Sequence, residues 1–230
     1  ADNDPDSNLR TLFDDGDVTI EMWTKIESHT QAYGADTPMQ VSFSPPNTND
    51  RYYGSWAFGT DVNGRLKVFI RSNTTDMYIG SATIPLLTWT HIALTWNKTT
   101  RTLTGYINGK PDLNVIMPST FRGTSFRYTY SCLQVGRSFY APRSDQYKNF
   151  QGWISNLRIE KRIVYTGQFN PPTAPLTSGA NTVLLALQNS TSYTTTGPTL
   201  TTRGTVFVDG DGPFNYTKAH NLVADGPLSF

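Results

Sequence analysis

The sequence predicts an all-β protein built as two antiparallel sheets packed face to face, and three observations carry that prediction. Along Thr90–Trp96 the residues Thr90, Ile92, Leu94 and Trp96 fall on one side and His91, Ala93 and Thr95 on the other. That is the period of a pleated strand with one buried face. After a polar turn at residues 97–101, Leu103, Gly105 and Ile107 alternate with Thr102, Thr104 and Tyr106, and the run ends on Asn108-Gly109. This dipeptide tolerates positive φ and marks a tight turn. A hairpin is not stable alone and needs a second layer over its apolar face. Finally, short strand-like runs separated by turn signals recur along the whole chain, with no internal repeat and no long helical period, which points to a sandwich.

Composition agrees. The chain has 230 residues, 37% hydrophobic and 13% aromatic, enough for one large β domain. Its formal charge of +1 gives no bulk field to draw nucleic acid or an anionic membrane. No apolar run approaches the roughly 18–20 residues of a spanning helix, so no membrane insertion is expected. Cys132 stands alone and cannot form an internal disulfide, which leaves the fold to its core. The chain opens on Ala1 without an apolar leader, and processing from a longer precursor is an expectation.

Taken in order, residues 1–11 are acidic and polar and read as a flexible tail. A principal domain is expected over 12–190. Asp14-Asp15-Gly16-Asp17 is a loop, and Val18–Trp23 alternates as a strand. Met39–Phe43 is a second strand, closed by Pro45-Pro46. Trp56–Thr60 and Arg65–Arg71 flank Asn63-Gly64 as a hairpin. Tyr78–Ile84 is a strand, followed by the hairpin above. Past Pro111 no strand is evident until Cys132–Arg137. Phe150–Ile159 is a strand, Glu160–Tyr165 a short helical turn, and Phe169–Pro175, with three prolines, an extended connector. Thr182–Leu187 is apolar throughout and is expected to be central. Residues 191–230 read as a C-terminal extension with a candidate last strand at Thr205–Val208.

Several of these segments, in this order, resemble laminin-G-like domains of the concanavalin A-like lectin/glucanase superfamily. They are Asp17–Trp23, Trp89–Trp96, Tyr106–Gly109, Val135–Arg137 and Phe150–Ile159. The resemblance covers about residues 14–187 and implies a jelly roll. Tyr165–Leu176, Asn181–Gln188 and Gly212-Pro213-Phe214 resemble the closing segments of such domains in structural proteins of tailed phages, notably marine ones. That implies a virion module, in head decoration, tail or fibre, on a virion surface or otherwise extracellular. Its partners would be other virion subunits, further copies of itself, or a cell-surface glycan. Such domains usually open with a strand before the one at Val18. Here either Thr205–Val208 or a neighbouring chain would supply it, so the chain is expected to assemble through open edges.

Glycoside hydrolysis needs two carboxylates flanking one bond, but Glu21, Glu27 and Glu160 form no close acidic triplet, and Glu21 reads as an outward strand residue. A non-enzymatic module follows. The alternatives are a calcium-dependent secreted lectin and a glycoside hydrolase relative. His29, His91 and His220 lack metal-ligand spacing, and His91 reads as a packed strand residue. No cofactor is expected beyond a candidate calcium at Asp14, Asp15 and Asp17. Glycan or partner contact is assigned to two aromatic groups: Tyr52, Tyr53 and Trp56, and then Arg127, Tyr128, Tyr130, Tyr140, Arg143 and Tyr147. Rings beside guanidinium groups suit sugar faces and protein contacts.

Overall fold

The computed structural model describes Leu9 and residues 11–29, 39–44, 56–71, 75–118, 132–136, 150–188, 194–202, 206–209, 212–214, 219–222 and 228–229. Among them the fold is two antiparallel sheets with one short helix, α1 (Leu12–Asp15). The nine-stranded sheet runs in the order β12 (Thr194–Thr196), β11 (Thr182–Ala186), β10 (Gly152–Glu160), β1 (Val18–Ile26), β6 (Thr90–Asn97), β7 (Thr102–Ile107) and β8 (Lys110–Ile116). Beside β11, the free side of β10 also takes β15 (Ala219–Leu222), and β15 pairs with β14 (Val206–Asp209). The seven-stranded sheet runs β13 (Thr201–Thr202), β16 (Leu228–Ser229), β9 (Cys132–Val135), β2 (Val41–Ser44), β3 (Trp56–Thr60), β4 (Arg65–Arg71) and β5 (Thr75–Thr83). The all-β sandwich expected from the pattern is the fold observed.

The inner faces alternate as the sequence implies. Val18, Ile20 and Met22 of β1, Ile92, Leu94 and Trp96 of β6, and Phe58, Val68 and Ile70 of the opposite sheet join one core. Both turns written by Asn-Gly are present. Asn108 and Gly109 take φ of 46° and 76°, the consecutive positive values such a turn demands, and Gly64 sits at 73°.

Helix α1 closes one end of the sandwich. The indole of Trp56 donates to the Leu9 carbonyl at 3.2 Å, and that of Trp96 donates to the Phe13 carbonyl at 3.0 Å. One tryptophan from each sheet is thus satisfied by the same segment, and Leu9, Leu12 and Phe13 are buried between them. Residues 1–11 were expected to be a tail, yet Leu9 belongs to the core, and the loop expected at Asp14-Asp15 begins as a helical turn.

Other expectations need correction. β11 is not central: only the three-residue β12 lies outside it. Its apolar run reflects burial on both sides, since Leu184, Leu185 and Ala186 are all buried. β8 went unread because of Pro111, but it is the edge of its sheet, where a proline is tolerated. Residues 161–165 form bends and not a helical turn. The strand expected at Thr205–Val208 lies at Val206–Asp209 and pairs with β15. β1 is already paired on both sides, by β6 and β10.

Candidate functional site

The outer face of the nine-stranded sheet carries the chemistry. Glu21, His91 and Arg158 project from β1, β6 and β10 on the side away from the core. A strap of extended chain after β10 crosses over them, which is why residues on an outward face are buried: Glu21 and His91 are both 0% exposed. The strap is fixed at intervals. Thr19 Oγ1 donates to the Arg162 carbonyl at 2.7 Å and accepts from the Val164 N–H at 2.9 Å. The Phe169 N–H donates to the Gly109 carbonyl at 3.0 Å, and the Leu176 N–H to Asn156 Oδ1 at 3.0 Å. Tyr165 and Phe169 stack at 3.5 Å, nearly parallel, and both rings meet His91 edge-on.

Glu21 is the centre of this arrangement. Its Oε1 accepts from Arg158 Nε at 2.9 Å and from Nη2 of the same guanidinium. Its Oε2 accepts from His91 Nε2 at 3.0 Å and from the Tyr165 hydroxyl at 2.7 Å. With the carboxylate accepting, His91 carries its proton on Nε2. Burial pushes the Glu21 carboxyl up, but the His91 hydrogen bond, the Arg158 charge and the Tyr165 donor outweigh it and hold it below the usual value. Tyr165 is pushed well up, by burial first and then by the Glu21 charge, so its hydroxyl stays a donor. Four donors fill the lone pairs of one carboxylate. Glu21 therefore has nothing left to offer a water or a glycosidic oxygen. Glu160 is likewise buried, and it accepts from Arg162 Nε and the Thr182 hydroxyl. The acids of this face are clamps on the strap.

Next to the strap the sheet opens toward its β8 edge, from Thr95, 5% exposed, to the exposed Asn114. There β6, β7 and β8 present rows of polar side chains: Thr95–Thr104–Asn114 across three strands, and Asn97–Thr102 beside Ile116. With Tyr106, Tyr165 and Thr166 as a wall, they line a depression of about 260 Å³. At the opposite end of β6, Lys25 lies 4.5 Å from the Trp153 ring and 6.0 Å from that of Trp89, a cation held between two half-buried indoles.

The residues assigned from sequence fare differently. Trp56 is not a surface contact: it is 1% exposed, stacked near Phe43 and edge-on to Phe13, because its strand turns that position into the core. Tyr52, Tyr53, Arg127, Tyr128, Tyr130, Tyr140, Arg143 and Tyr147 lie outside the described residues. The candidate calcium loop is tied down by lysines. Asp15 bonds Thr11 and Lys161, Asp17 accepts the Lys98 N–H, and the Asp14 carbonyl accepts Lys98 Nζ. Burial raises the Asp15 carboxyl, but Thr11 and the two lysines outweigh it and lower it. These contacts engage oxygens of Asp14, Asp15 and Asp17 within the protein. Among the described residues no three His, Cys, Asp or Glu side chains converge on a metal position. The Thr and Asn rows went unread as a site. Their signal was the polar side of the β6–β7 hairpin, and Asn114 was hidden with β8.

A buried, strap-covered polar cluster on a jelly-roll sheet, beside an open hydroxyl-lined depression, describes a lectin-like β-sandwich. Residues 5–169 match the Laminin_G_3 family of the concanavalin A-like lectin/glucanases superfamily, and the chain belongs to it. No curated protein matches at the level of sequence. Among solved structures, a putative carbohydrate-binding protein from Bacteroides ovatus is similar at TM-score 0.54 and 14% identity, over 91% of this chain and 55% of that one. The CBM40 of the Ruminococcus gnavus IT-sialidase is similar at 0.52 and 8%, over 70% and 82%. The NanB sialidase of Streptococcus pneumoniae is similar at 0.53 and 12%, over 76% of this chain and 28% of that one. The chain thus spans about half of the first of these proteins and under a third of the last. At such identities the likeness is one of fold.

Proposed function

We propose that the protein is a non-catalytic glycan-binding module whose contact surface is the depression on β6, β7 and β8. The observation that carries this is the Thr95–Thr104–Asn114 row. Among the described residues none of these three side chains has a hydrogen-bonding partner, although they lie side by side on a rigid sheet beneath an aromatic wall. Sugars are recognised by polar groups held ready in this way, next to a ring. The solved carbohydrate-binding proteins that share the fold support the reading. Engagement of Glu21 and Glu160 in holding the strap argues against a hydrolase. A glycan array probed with the full chain, with and without chelator, tests it. Binding that survives chelation supports this module, binding lost on chelation supports a calcium-dependent lectin instead, and no binding refutes both.

The proposed setting is extracellular display, on a virion surface as the resemblance of Tyr165–Leu176 to tailed-phage proteins implies. That same segment walls the depression, so a virion module would present the site together with its strap. Peptide mass spectrometry of purified particles, with immunogold labelling, tests this setting.

A further inference from the structure

We infer that the depression selects a neutral sugar residue and passes over acidic ones; this rests on the glycan-binding reading and narrows its ligand class. The polar groups that line it are hydroxyls and two amides: Thr104 and Thr166 with Asn97 and Asn114, above Thr95, which is 5% exposed at the floor. Each can donate and accept, as each hydroxyl of a neutral sugar can, so the two sets satisfy one another in either sense. An acidic sugar brings a carboxylate that only accepts. Taking it out of water is costly unless a cation pairs with it.

No Lys or Arg is found among the described residues that line the depression. The three cations nearest in sequence point elsewhere. Lys98 Nζ donates to the Asp14 carbonyl, Arg101 Nε to the Met117 carbonyl at 3.1 Å, and Arg162 Nε to the Glu160 carboxylate at 2.9 Å. The Tyr165 hydroxyl is also withheld, since it donates to Glu21. Ile116, 75% exposed at the end of the Asn97–Thr102 row, adds an apolar edge for a ring's C–H face.

The test is an array carrying neutral hexosides, pentosides and N-acetylhexosaminides beside sialylated, uronic and sulfated glycans. It is probed with the full chain and with a Thr104→Val/Asn114→Leu variant. Among the described residues both side chains lack hydrogen-bonding partners, so the variant should melt with the parent, which circular dichroism checks. The expected result is neutral hits that weaken at least about tenfold in the variant, with an acidic residue on the same glycan giving no gain. Hits confined to acidic glycans, with affinity that falls steeply with salt, overturn the inference and leave the glycan-binding reading standing. Neutral hits that ignore the two substitutions overturn the assigned site. An array with no hit removes the glycan-binding reading itself.

Discussion

Glu21 and Tyr165 are 144 residues apart in the chain, and the tyrosine hydroxyl donates to the carboxylate at 2.7 Å. This contact joins the second layer of the protein, the strap, to the middle strand of a sheet whose other face is core. It also explains why β6 is buried on both sides, although its alternation announces a single apolar face. His91 and Ala93 are covered by the strap and its rings, and Ile92, Leu94 and Trp96 by the opposite sheet.

Replacing Glu21 by Gln should be severe. The amide keeps the shape but takes from Arg158 its closest counter-charge and leaves it only Glu160 at 3.9 Å, and breaking one partner of a buried pair costs about 3–5 kcal/mol. The pH dependence should change with it. The folded carboxyl lies below its ordinary value of 4.5, so its contribution is complete above that pH and is lost as pH falls through the folded value. Urea melts near neutrality and at about pH 3 check both points. The gap between parent and variant should be widest near neutrality and should narrow in acid. A constant gap would mean that Glu21 does not couple to the proton.

Gly109 shows how closely the strap is seated. A Cβ at this position, where φ is 76°, would meet the Phe169 carbonyl oxygen at 1.8 Å. Gly109→Ala should therefore lift the Phe169 end of the strap, at a cost of about 1–3 kcal/mol for the forced backbone. Gly167, in the strap itself, has open space around its position and provides the control. Limited proteolysis should cut the Gly109→Ala protein within residues 163–172 faster than the parent, and Gly167→Ala at the parental rate.

The legible parts of this fold were those where local pattern and tertiary burial agree. Val18–Trp23 and Thr90–Ile107 alternate, and each Asn-Gly lies at a turn. What stayed hidden depends on contacts distant in sequence. Glu21 looked like a solvated strand residue because nothing near it reveals that Tyr165 and Phe169 return to cover it. β11 looked central because burial under a strap and burial inside a sheet give the same apolar string. The Thr and Asn rows become a site only when β8 lies beside β7, and Pro111 masks that edge.

Trp56 separates the core and surface readings by a single measurement. As a contact residue it could be truncated at little cost to stability. Buried between Phe13 and Phe43, with its N–H on Leu9, it should cost about 3–5 kcal/mol as Trp56→Ala in a denaturant melt. The loss should also free α1, raising amide exchange at Leu12 and Phe13. A near-neutral change would return Trp56 to the surface.

The two sheets meet at their edges through Asp112. From β8 its carboxylate accepts the Ala82 N–H of β5 at 2.8 Å and the Ser81 N–H at 3.1 Å. An edge strand with unpaired N–H groups is a template for another chain, and here a side chain from the other sheet occupies two of them. Gly80 makes room for it, since a Cβ there would lie 1.9 Å from Asp112 Oδ2. Asp112→Ala should therefore cost only about 1–2 kcal/mol, because the released N–H groups reach water. Its larger effect should be on assembly: with β5 uncovered beside the half-exposed Met77 and Ile79, the chain should self-associate. Gly80→Ala, which displaces the same carboxylate without removing its charge, should act in the same direction. Sedimentation velocity over a range of concentrations checks this. Higher species in both variants at concentrations where the parent shows fewer would place the edge under Asp112, and unchanged profiles in both would show that the carboxylate does not guard it.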